Sequence, residues 1–475
     1  MTPLRHRDEG KHVGRYPFTV TRSFFISTLG CAKNDVDSDK LAGRLRSQGY
    51  EEAPHPGDAD LVVVNTCAFI EPARAESIET ILQMSEFRRP GARLAVTGCL
   101  AERHGEELAE ALGEVDVVAG FGMDFTAAFP HEDAGRRATE AAVGSAPVLL
   151  RARGDIPAFD LLELARPPAT TPWAYVKAAE GCDRRCGFCA IPSFRGPQRS
   201  RSIESILAEI EALDVSEVVL VAQDLASYGR DQSRRNAPQD AEAAGIIELV
   251  EAAAQRVARL RLLYLYPSSL TDRLIDTVCA TGVPYFDLSL QHASGRLLRR
   301  MRRWGSAERF LERIGRIRAV APGAALRSSF ILGYPGETEE DHDELLSFIE
   351  EAELDWAGFF SFSAESGTYA AGLADPVPAE LATERLRECA ELQDSITAAH
   401  RRELVGTTVS VLVDAPGVGR SYREAPEIDG IVRLPPRLGA GSVVAVEVTG
   451  AAGPDLEAVP VKTDRSAATI AGYER

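Results

Sequence analysis

Three cysteines with the spacing C-x3-C-x2-C stand in the middle of this 475-residue chain. They are Cys182, Cys186 and Cys189, and Phe188 precedes the last of them. A four-iron, four-sulfur cluster normally takes four thiolates, so three ligands from one loop would leave one iron open to a small molecule. Structural zinc sites usually need four ligands from two short pairs, and no second pair follows nearby. The spacing therefore favours an iron-sulfur cluster over zinc.

Three further cysteines occupy equivalent points of a repeated pattern near the N-terminus. Apolar runs alternate there with helical patterns, at residues 22–28, 60–66, 93–98 and 115–120. This alternation predicts an open parallel α/β sheet. Cys31, Cys67 and Cys99 each follow one of the first three runs, and the carboxyl ends of parallel strands meet at one edge. We interpret these thiols as ligands of a second iron-sulfur cluster; the alternative is three unrelated buried cysteines.

The remaining sequence predicts two further folded units. Six strand-like runs between residues 173 and 400 alternate with helical patterns, which predicts a partial (β/α)6 barrel with its site at the carboxyl ends of the strands. From residue 405 to 475, short β-branched runs broken by Gly and Pro predict a small all-β barrel. The fold class is therefore α/β, with an N-terminal domain at 22–130 and a linker rich in Ala, Arg and Pro at 131–172.

The composition of the chain restricts the cellular compartment in which we expect the protein to act. No run reaches the roughly 18 apolar residues that a membrane span needs. Residues 1–20 are polar and lack the apolar core of a signal peptide, so we expect a cytoplasmic protein with no membrane partner. Eight cysteines are too few for a disulfide scaffold in a chain of this length, and Cys279 and Cys389 are expected to be packed in apolar surroundings.

The net charge of −18 bears on the partners of the protein. Nucleic-acid binding depends on Lys and Arg side chains that meet phosphates, so an acidic chain suits a basic protein partner better. The densest basic run, at residues 296–303, is either a solvated helix face or a binding patch.

The cysteine motifs resemble those of a known family. The loop at 182–189 resembles the cluster loop of radical S-adenosylmethionine (SAM) enzymes. The motifs STLGCAKN at 27–34, NTCAFI at 65–70 and TGCL at 97–100 resemble the signatures of the methylthiotransferase family within that superfamily. Within the family, CAIPSFRG at 189–196 is similar to the RimO-type branch, which modifies a ribosomal protein.

This resemblance implies two clusters and a reaction. The cluster on Cys182, Cys186 and Cys189 would bind SAM and cleave it to a 5′-deoxyadenosyl radical, with an electron from a small electron-transfer protein. The radical would remove hydrogen from the β-carbon of an aspartate in the twelfth small-subunit ribosomal protein. The second cluster, on Cys31, Cys67 and Cys99, would hold the sulfur, and a second SAM would supply the methyl group. No catalytic residue beyond these cysteines is assigned.

The resemblance also assigns SAM-binding residues and a C-terminal module. The stretch SFILGYPGET at 329–338 resembles the segment that holds the adenine of SAM, which points to Ile331, Gly333 and Glu337. The last domain resembles the TRAM module, which grips nucleic acid in the transfer-RNA branch of the family.

The charge of the TRAM-like module helps to separate the branches. Residues 405–475 hold seven Lys or Arg and nine Asp or Glu, a balance of −2. A phosphate grip should be positive, so nucleic-acid contact is expected to be secondary. We expect Glu424, Glu427 and Asp429 to face a basic ribosomal protein.

Two rival functions stay open. One is a transfer-RNA methylthiotransferase that modifies an adenosine near the anticodon. The other, of a different class, is a non-catalytic RNA-binding protein in which the six cysteines hold zinc.

Overall fold

The computed structural model describes residues 22–125, 146–150, 160–232 and 244–461. The predictions for residues 1–20, for most of the linker and for the chain beyond 461 lie outside these ranges. The described parts form an N-terminal sheet domain, a partial barrel and a closed β-barrel, which confirms the predicted fold class. No helix in these ranges is long and apolar enough to cross a membrane.

The N-terminal domain is a six-stranded parallel sheet in the order β2-β1-β3-β4-β5-β6. Its strands are β1 (Arg22–Thr28), β2 (Tyr50–Glu52), β3 (Leu61–Thr66), β4 (Arg93–Gly98), β5 (Val117–Ala119) and β6 (Val148–Leu149). Its helices are α1 (Ala32–Ser47), α2 (Glu71–Phe87) and α3 (Cys99–Ala111). Every residue of β3 is buried, because helices cover both faces of a parallel sheet.

The sixth strand corrects the predicted linker. β6 lies inside residues 131–172 but pairs in parallel with β5, where Val118 faces Val148. The linker prediction is therefore wrong for this segment, which belongs to the first sheet. A two-residue strand carries too short an apolar run to stand out from its surroundings.

The barrel consists of two three-stranded parallel sheets, in the orders β11-β10-β7 and β12-β13-β14. Its strands are β7 (Trp173–Lys177), β10 (Glu217–Val221), β11 (Arg259–Leu262), β12 (Tyr285–Gln291), β13 (Ala325–Leu332) and β14 (Trp356–Ser361). A short hairpin, β8 (Ala179–Glu180) and β9 (Arg199–Ser200), flanks the cluster loop. An isolated parallel bridge between Leu265 and Leu288 joins the two sheets into one curved wall.

Helices cover the outside of this wall. They are α5 (Ile203–Leu213), α6 (Ala244–Ala254), α7 (Asp272–Ala280), α8 (Gly295–Arg300), α9 (Ala307–Val320), α10 (Glu339–Ala352) and α11 (Ala379–Glu403). The short helix α4 (Ile191–Arg195), which follows the cluster loop, instead packs against the core of the N-terminal domain. Side chains alternate between the faces of a strand, so Val218 and Leu220 of β10 pack in the cluster that includes the helices. Val219 and Val221 point the other way, into the lumen.

The lumen is filled from both ends. Ala32 and Val36 of α1 and Ala425 of the C-terminal module share one buried cluster with the lumen residues of the barrel. The first helix of the N-terminal domain is therefore packed into the barrel, which brings the residues next to Cys31 close to the barrel strands.

The C-terminal module is a closed barrel in the order β15-β16-β17-β19-β18. Its strands are β15 (Thr408–Ala415), β16 (Val418–Arg420), β17 (Val432–Arg433), β18 (Val443–Ala452) and β19 (Asp455–Pro460). The segment 421–430, which follows β16, leaves this module and reaches the barrel, where Tyr175 donates a hydrogen bond to the Pro426 carbonyl at 3.0 Å.

Two residues of the predicted acidic surface are buried in this contact. Glu424 is fully buried and pairs with Arg401 of α11. Asp429 accepts a hydrogen bond from the Tyr285 hydroxyl at 2.6 Å and lies 3.3 Å from Arg327. The expectation that these carboxylates face a ribosomal protein is wrong, since both anchor the module to the barrel. Only Glu427 is exposed.

Candidate functional site

The structure brings Cys31, Cys67 and Cys99 together at one edge of the first sheet. Cys31 is the N-cap of α1, Cys67 directly follows β3, and Cys99 is the first residue of α3. The adjacent strands β1, β3 and β4 thus deliver all three at their carboxyl ends. The thiols are near enough to influence one another: burial raises the pKa of Cys67 to about 11, and the charges of Cys99 and Cys31 add to this rise.

Glycines make this close approach possible. Gly30 has a positive φ of 101°, and a Cβ placed there would lie 3.0 Å from the sulfur of Cys67. Gly98 has a φ of 94°, and its Cβ would lie 2.5 Å from the Thr66 carbonyl. Glycine adopts this backbone region without a steric penalty, so the residue before Cys31 and the residue before Cys99 have a structural reason to be glycine.

Arg195 of the barrel lies against the N-terminal thiols. Its guanidinium donates hydrogen bonds to the Cys99 sulfur at 3.2 Å and to the Asn34 side chain at 2.8 Å. Burial raises the pKa of Cys99, and the charge of Arg195 opposes this. Burial also disfavours the thiolate of Cys31, but Lys33 and Arg195 outweigh it and lower the pKa of Cys31. A cationic surrounding of this kind favours the thiolates that metals need.

The second set of thiols lies in the loop between β8 and α4. The Cys182 sulfur accepts a hydrogen bond from the Arg184 backbone at 3.4 Å, and the Cys186 sulfur accepts one from the Arg303 guanidinium at 3.3 Å. Burial raises the pKa of Cys182 to about 11 and that of Cys189 to about 12. These two thiols must therefore lose protons when they bind a metal.

The loop is fixed over the carboxyl ends of the barrel strands. Gly187 donates a hydrogen bond to the Met301 carbonyl at 2.7 Å and accepts one from the Ala370 backbone at 2.8 Å. A Cβ on Gly187 would lie 3.1 Å from both the Tyr334 hydroxyl and the Tyr369 ring, so a larger residue would lift the loop away.

Two arginines and one tyrosine connect the loop to the barrel. Arg184 and Arg303 lie over the Tyr266 ring, at 3.8 and 4.1 Å from its centre. Arg184 also pairs with Asp224, after β10, at 2.6 Å. These cation–π and ionic contacts hold the guanidiniums beside the cysteine sulfurs.

An ion network connects the two sets of cysteines. Glu180 stands two residues before Cys182 and pairs with both Arg195 and Lys177, at 2.9 and 2.8 Å. Lys177 in turn pairs with Asp37 of α1. Since the same Arg195 reaches Cys99, a continuous chain of charged contacts runs between the two thiol loops. The sequence analysis did not predict this network. Its signal in the sequence is limited to charged residues inside apolar strands and beside the cysteine motifs.

The predicted SAM residues lie in and after β13. Glu337 accepts hydrogen bonds from the backbone of Gly333 at 2.6 Å and Tyr334 at 3.1 Å, and its second oxygen accepts one from Arg385 at 3.0 Å. Both oxygens are therefore used to form the turn after the strand. Ile331 packs against the main core of the barrel. Contact of Ile331, Gly333 and Glu337 with SAM stays a prediction.

Four arginines of the 296–303 run have partners within the protein. These partners are Asp341 for Arg296, the Pro335 carbonyl for Arg300, the Tyr369 ring for Arg302 and the Cys186 sulfur for Arg303. The run is neither a uniformly solvated face nor a free patch, because it supports the cluster loop and the turn after β13.

The donors at both sites suit iron-sulfur clusters. Within the described ranges, no group of three or more His, Cys, Asp or Glu side chains could hold a single metal ion. A cubic cluster instead binds each thiolate through a different iron, so its ligands surround a larger body. Each site offers three thiols with a guanidinium that donates to a sulfur, and such hydrogen bonds support clusters of this kind. Ligation by the six cysteines stays a prediction.

Known proteins match the chain along most of its length. An uncharacterized protein family, UPF0004, matches residues 23–120, the radical SAM superfamily matches 176–349, and the TRAM domain matches 405–461. The ribosomal protein uS12 methylthiotransferase RimO of Salinispora tropica is 41% identical, and the alignment covers 92% of this chain and 95% of the relative. The protein of the same name from Saccharopolyspora erythraea is 39% identical, with 95% and 98% covered.

A solved structure of a more distant protein also matches. The radical SAM methyltransferase TsrM of Kitasatospora setae, with tryptophan and a SAM analogue bound, is 14% identical, with a TM-score of 0.46. The match covers 80% of this chain and 90% of the TsrM chain.

The α/β barrel, the three-cysteine loop and the superfamily match define a radical SAM enzyme, a class that uses a four-iron, four-sulfur cluster and SAM. With about 40% identity to its relatives over nearly all of its length, the chain belongs to the RimO family of ribosomal protein uS12 methylthiotransferases.

Proposed function

We propose that this enzyme adds a methylthio group to the β-carbon of an aspartate in ribosomal protein uS12. SAM serves as the source of both the radical and the methyl group, and a small electron-transfer protein supplies the electron. The observation that carries the proposal is the physical link between two separate sets of three thiols, through Arg195 and Glu180. An enzyme that needed only a radical would need only one of these sets.

Each thiol set has its own part in the reaction. When bound, the cluster on Cys182, Cys186 and Cys189 supplies radical chemistry with SAM, and the cluster on Cys31, Cys67 and Cys99 supplies sulfur. Radical chemistry is required because the β-hydrogens of an aspartate are not acidic enough for a side-chain base to remove.

The protein's own residues hold the two sites together and keep water out. Arg195 and Lys177 neutralise Glu180 and Asp37 in a buried setting, so both of these carboxylates at the interface between the domains are paired. The lumen below is closed by Ala32, Val36 and Ala425. A dry site protects a reactive carbon radical from side reactions.

Electrostatics support a protein substrate over RNA. The C-terminal module has a net charge of −2 in the sequence, and the contacts of its arginine Arg420 are with Asp414 and Glu217 inside the protein. A module that bound phosphate would be expected to carry a net positive charge, which this module lacks.

Mass spectrometry of cellular material tests the proposal. A strain of the source organism that lacks the gene should have uS12 without the methylthio group on its aspartate, while its transfer RNA keeps every modification. Return of the intact gene should restore the group, whereas return of a gene with Cys31 replaced by Ala should not. Unmodified transfer RNA together with normal uS12 would point to the transfer-RNA function instead.

A further inference from the structure

Lys33 differs from the other buried lysines near the site. It is 7% exposed, lies two residues after Cys31, and places its Nζ 3.3 Å from the centre of the Tyr264 ring. Among the residues that the structure describes, none forms a hydrogen bond or ion pair with this ammonium group. Lys40, by contrast, pairs with Glu209, and Lys177 pairs with Asp37 and Glu180.

The nearby carboxylates are already engaged. Burial lowers the pKa of Lys33 and the charge of Arg195 adds to this, whereas Cys31, Asp287 and Glu180 favour the ammonium form. Asp287 is held by Arg327 at 2.9 Å and by the Tyr264 backbone at 2.9 Å. Glu180 pairs with Arg195 and Lys177, as described above. The three N–H donors of Lys33 therefore form no hydrogen bond to the described residues, although the side chain as a whole is largely buried.

Tyr264, whose ring lies beneath Lys33, has a strained backbone conformation. Tyr264 has a φ of 65°, a left-handed value that bulky residues rarely adopt. Its amide donates to Asp287, and its carbonyl accepts from the Leu225 backbone at 3.2 Å, so contacts on both sides keep the strain in place. Strain that the surroundings maintain in this way is concentrated at functional sites.

We propose that Lys33 binds the side-chain carboxylate of the substrate aspartate. The proposal rests on the proposed function, and it names the group that recognises the substrate at the same site. The carboxyl carbon of an aspartate is bonded directly to the β-carbon that reacts. A carboxylate bound by Lys33 thus places this β-carbon beside Cys31 and the sulfur that would be delivered there.

The energetics support this assignment. A substrate aspartate must lose its water when it enters the barrel mouth, and a desolvated carboxylate needs a cation and hydrogen-bond donors. Lys33 offers both, since a charge-assisted hydrogen bond is stronger than a neutral one. An asparagine of the same shape would gain much less from the ammonium group.

The test compares two peptides and three forms of the enzyme. The peptides carry the uS12 loop with its target aspartate or with asparagine in its place. The proteins are the full-length, cluster-loaded enzyme and its Lys33→Met and Lys33→Arg variants, with SAM and without a reductant so that no turnover occurs. Binding is measured by fluorescence anisotropy and expressed per iron-loaded chain.

The expected result is a loss of preference that depends on charge. The wild type should bind the aspartate peptide at least about tenfold more tightly than the asparagine peptide, since a hydrogen bond between two charged groups is stronger than one to a neutral amide. Lys33→Met should bind both peptides about equally, and Lys33→Arg should keep most of the preference. A Lys33→Met protein that still prefers aspartate, or that loses affinity for both peptides alike, overturns the proposal for Lys33.

A failure of the proposed function looks different. If the wild type neither binds the aspartate peptide nor modifies uS12 when reductant is added, the substrate itself is wrong, and the role of Lys33 falls with it. If the wild type modifies uS12 but shows no preference for aspartate in binding, only the role of Lys33 is overturned.

Discussion

Arg195 donates a hydrogen bond to the sulfur of Cys99 across 3.2 Å, although the two residues belong to different domains. The same guanidinium pairs with Glu180, two residues before the first cysteine of the barrel loop. A single buried side chain therefore contacts one thiol site and connects it with the other.

Replacement of Arg195 by Met should weaken the N-terminal site and the domain interface together. Removal of one partner from a buried ion pair costs about 3–5 kcal/mol, and here Glu180 and Asp37 would each lose a cation. We expect a lower melting temperature and a loss of up to about half of the bound iron, since only one of the two cluster sites contains Cys99. Thermal denaturation and iron analysis measure both effects.

The matched control for Arg195 is Arg199, four residues further along the chain. Its ion pair with Asp160 is partly exposed, so Arg199→Met should cost no more than about 1 kcal/mol and leave the iron content unchanged. Equal losses in the two variants would mean that Arg195 has no special relation to the thiols.

Replacement of Cys182, Cys186 and Cys189 by Ala should leave about half of the iron, because thiolate ligation is local and the other three cysteines lie in another domain. The remaining iron should show iron-sulfur absorbance but should support no SAM cleavage. Iron analysis of anaerobically purified protein checks this, with circular dichroism as the control for folding. Loss of all the iron from a folded protein would rule out two independent sites.

The carboxylates of the segment 421–430 should differ in their effect on stability. Glu424→Gln should destabilise the protein by about 3–5 kcal/mol, because it leaves Arg401 buried without its partner. Glu427→Gln is the control on the same segment and should not destabilise the protein, since Glu427 is exposed and its charge only repels Asp35. Chemical denaturation compares the two variants. Similar midpoints would show that Glu424 does not anchor the module.

Asp35 of α1 should make stability depend on pH. Burial, together with Glu427, Asp39 and Asp37, raises the pKa of Asp35 from 3.8 to about 7, and Arg166 only partly opposes this. Between these two values the folded protein keeps a proton that the unfolded chain loses, so the contribution of Asp35 to stability declines as pH rises from about 4 to 7.

Replacement of Asp35 should therefore stabilise the folded protein only at higher pH. Asp35→Asn should be more stable than the wild type at pH 8, by on the order of 1 kcal/mol because the group is partly exposed, and should show no advantage near pH 4. Melting temperatures across this range measure the difference, with the exposed Asp58→Asn as the control. An advantage that is constant across pH would contradict the raised pKa.

Local patterns in the sequence were enough to predict the architecture. Apolar periodicity located β1 and β4 to the residue, and the position of each N-terminal cysteine after a strand led to the shared edge that the structure shows. The resemblance of the motifs led to the family that the relatives confirm.

Contacts between distant parts of the chain could not be read in this way. No local pattern in the sequence indicates that Arg195 contacts Cys99. The same holds for the ion pair of Glu424 with Arg401, because each contact depends on how separate domains pack. The acidic segment was misread for that reason: its charges suggested a surface, whereas packing against the barrel buries two of them.

A reaction with purified components identifies the substrate of the enzyme and its product together. The anaerobic, cluster-loaded enzyme is given SAM, a reductant, and either uS12 or a transfer-RNA anticodon stem-loop, and the products are sequenced by tandem mass spectrometry. We expect one methylthio group on the β-carbon of a single aspartate of uS12 and no change in the RNA. A modified stem-loop with unchanged uS12 would contradict the account.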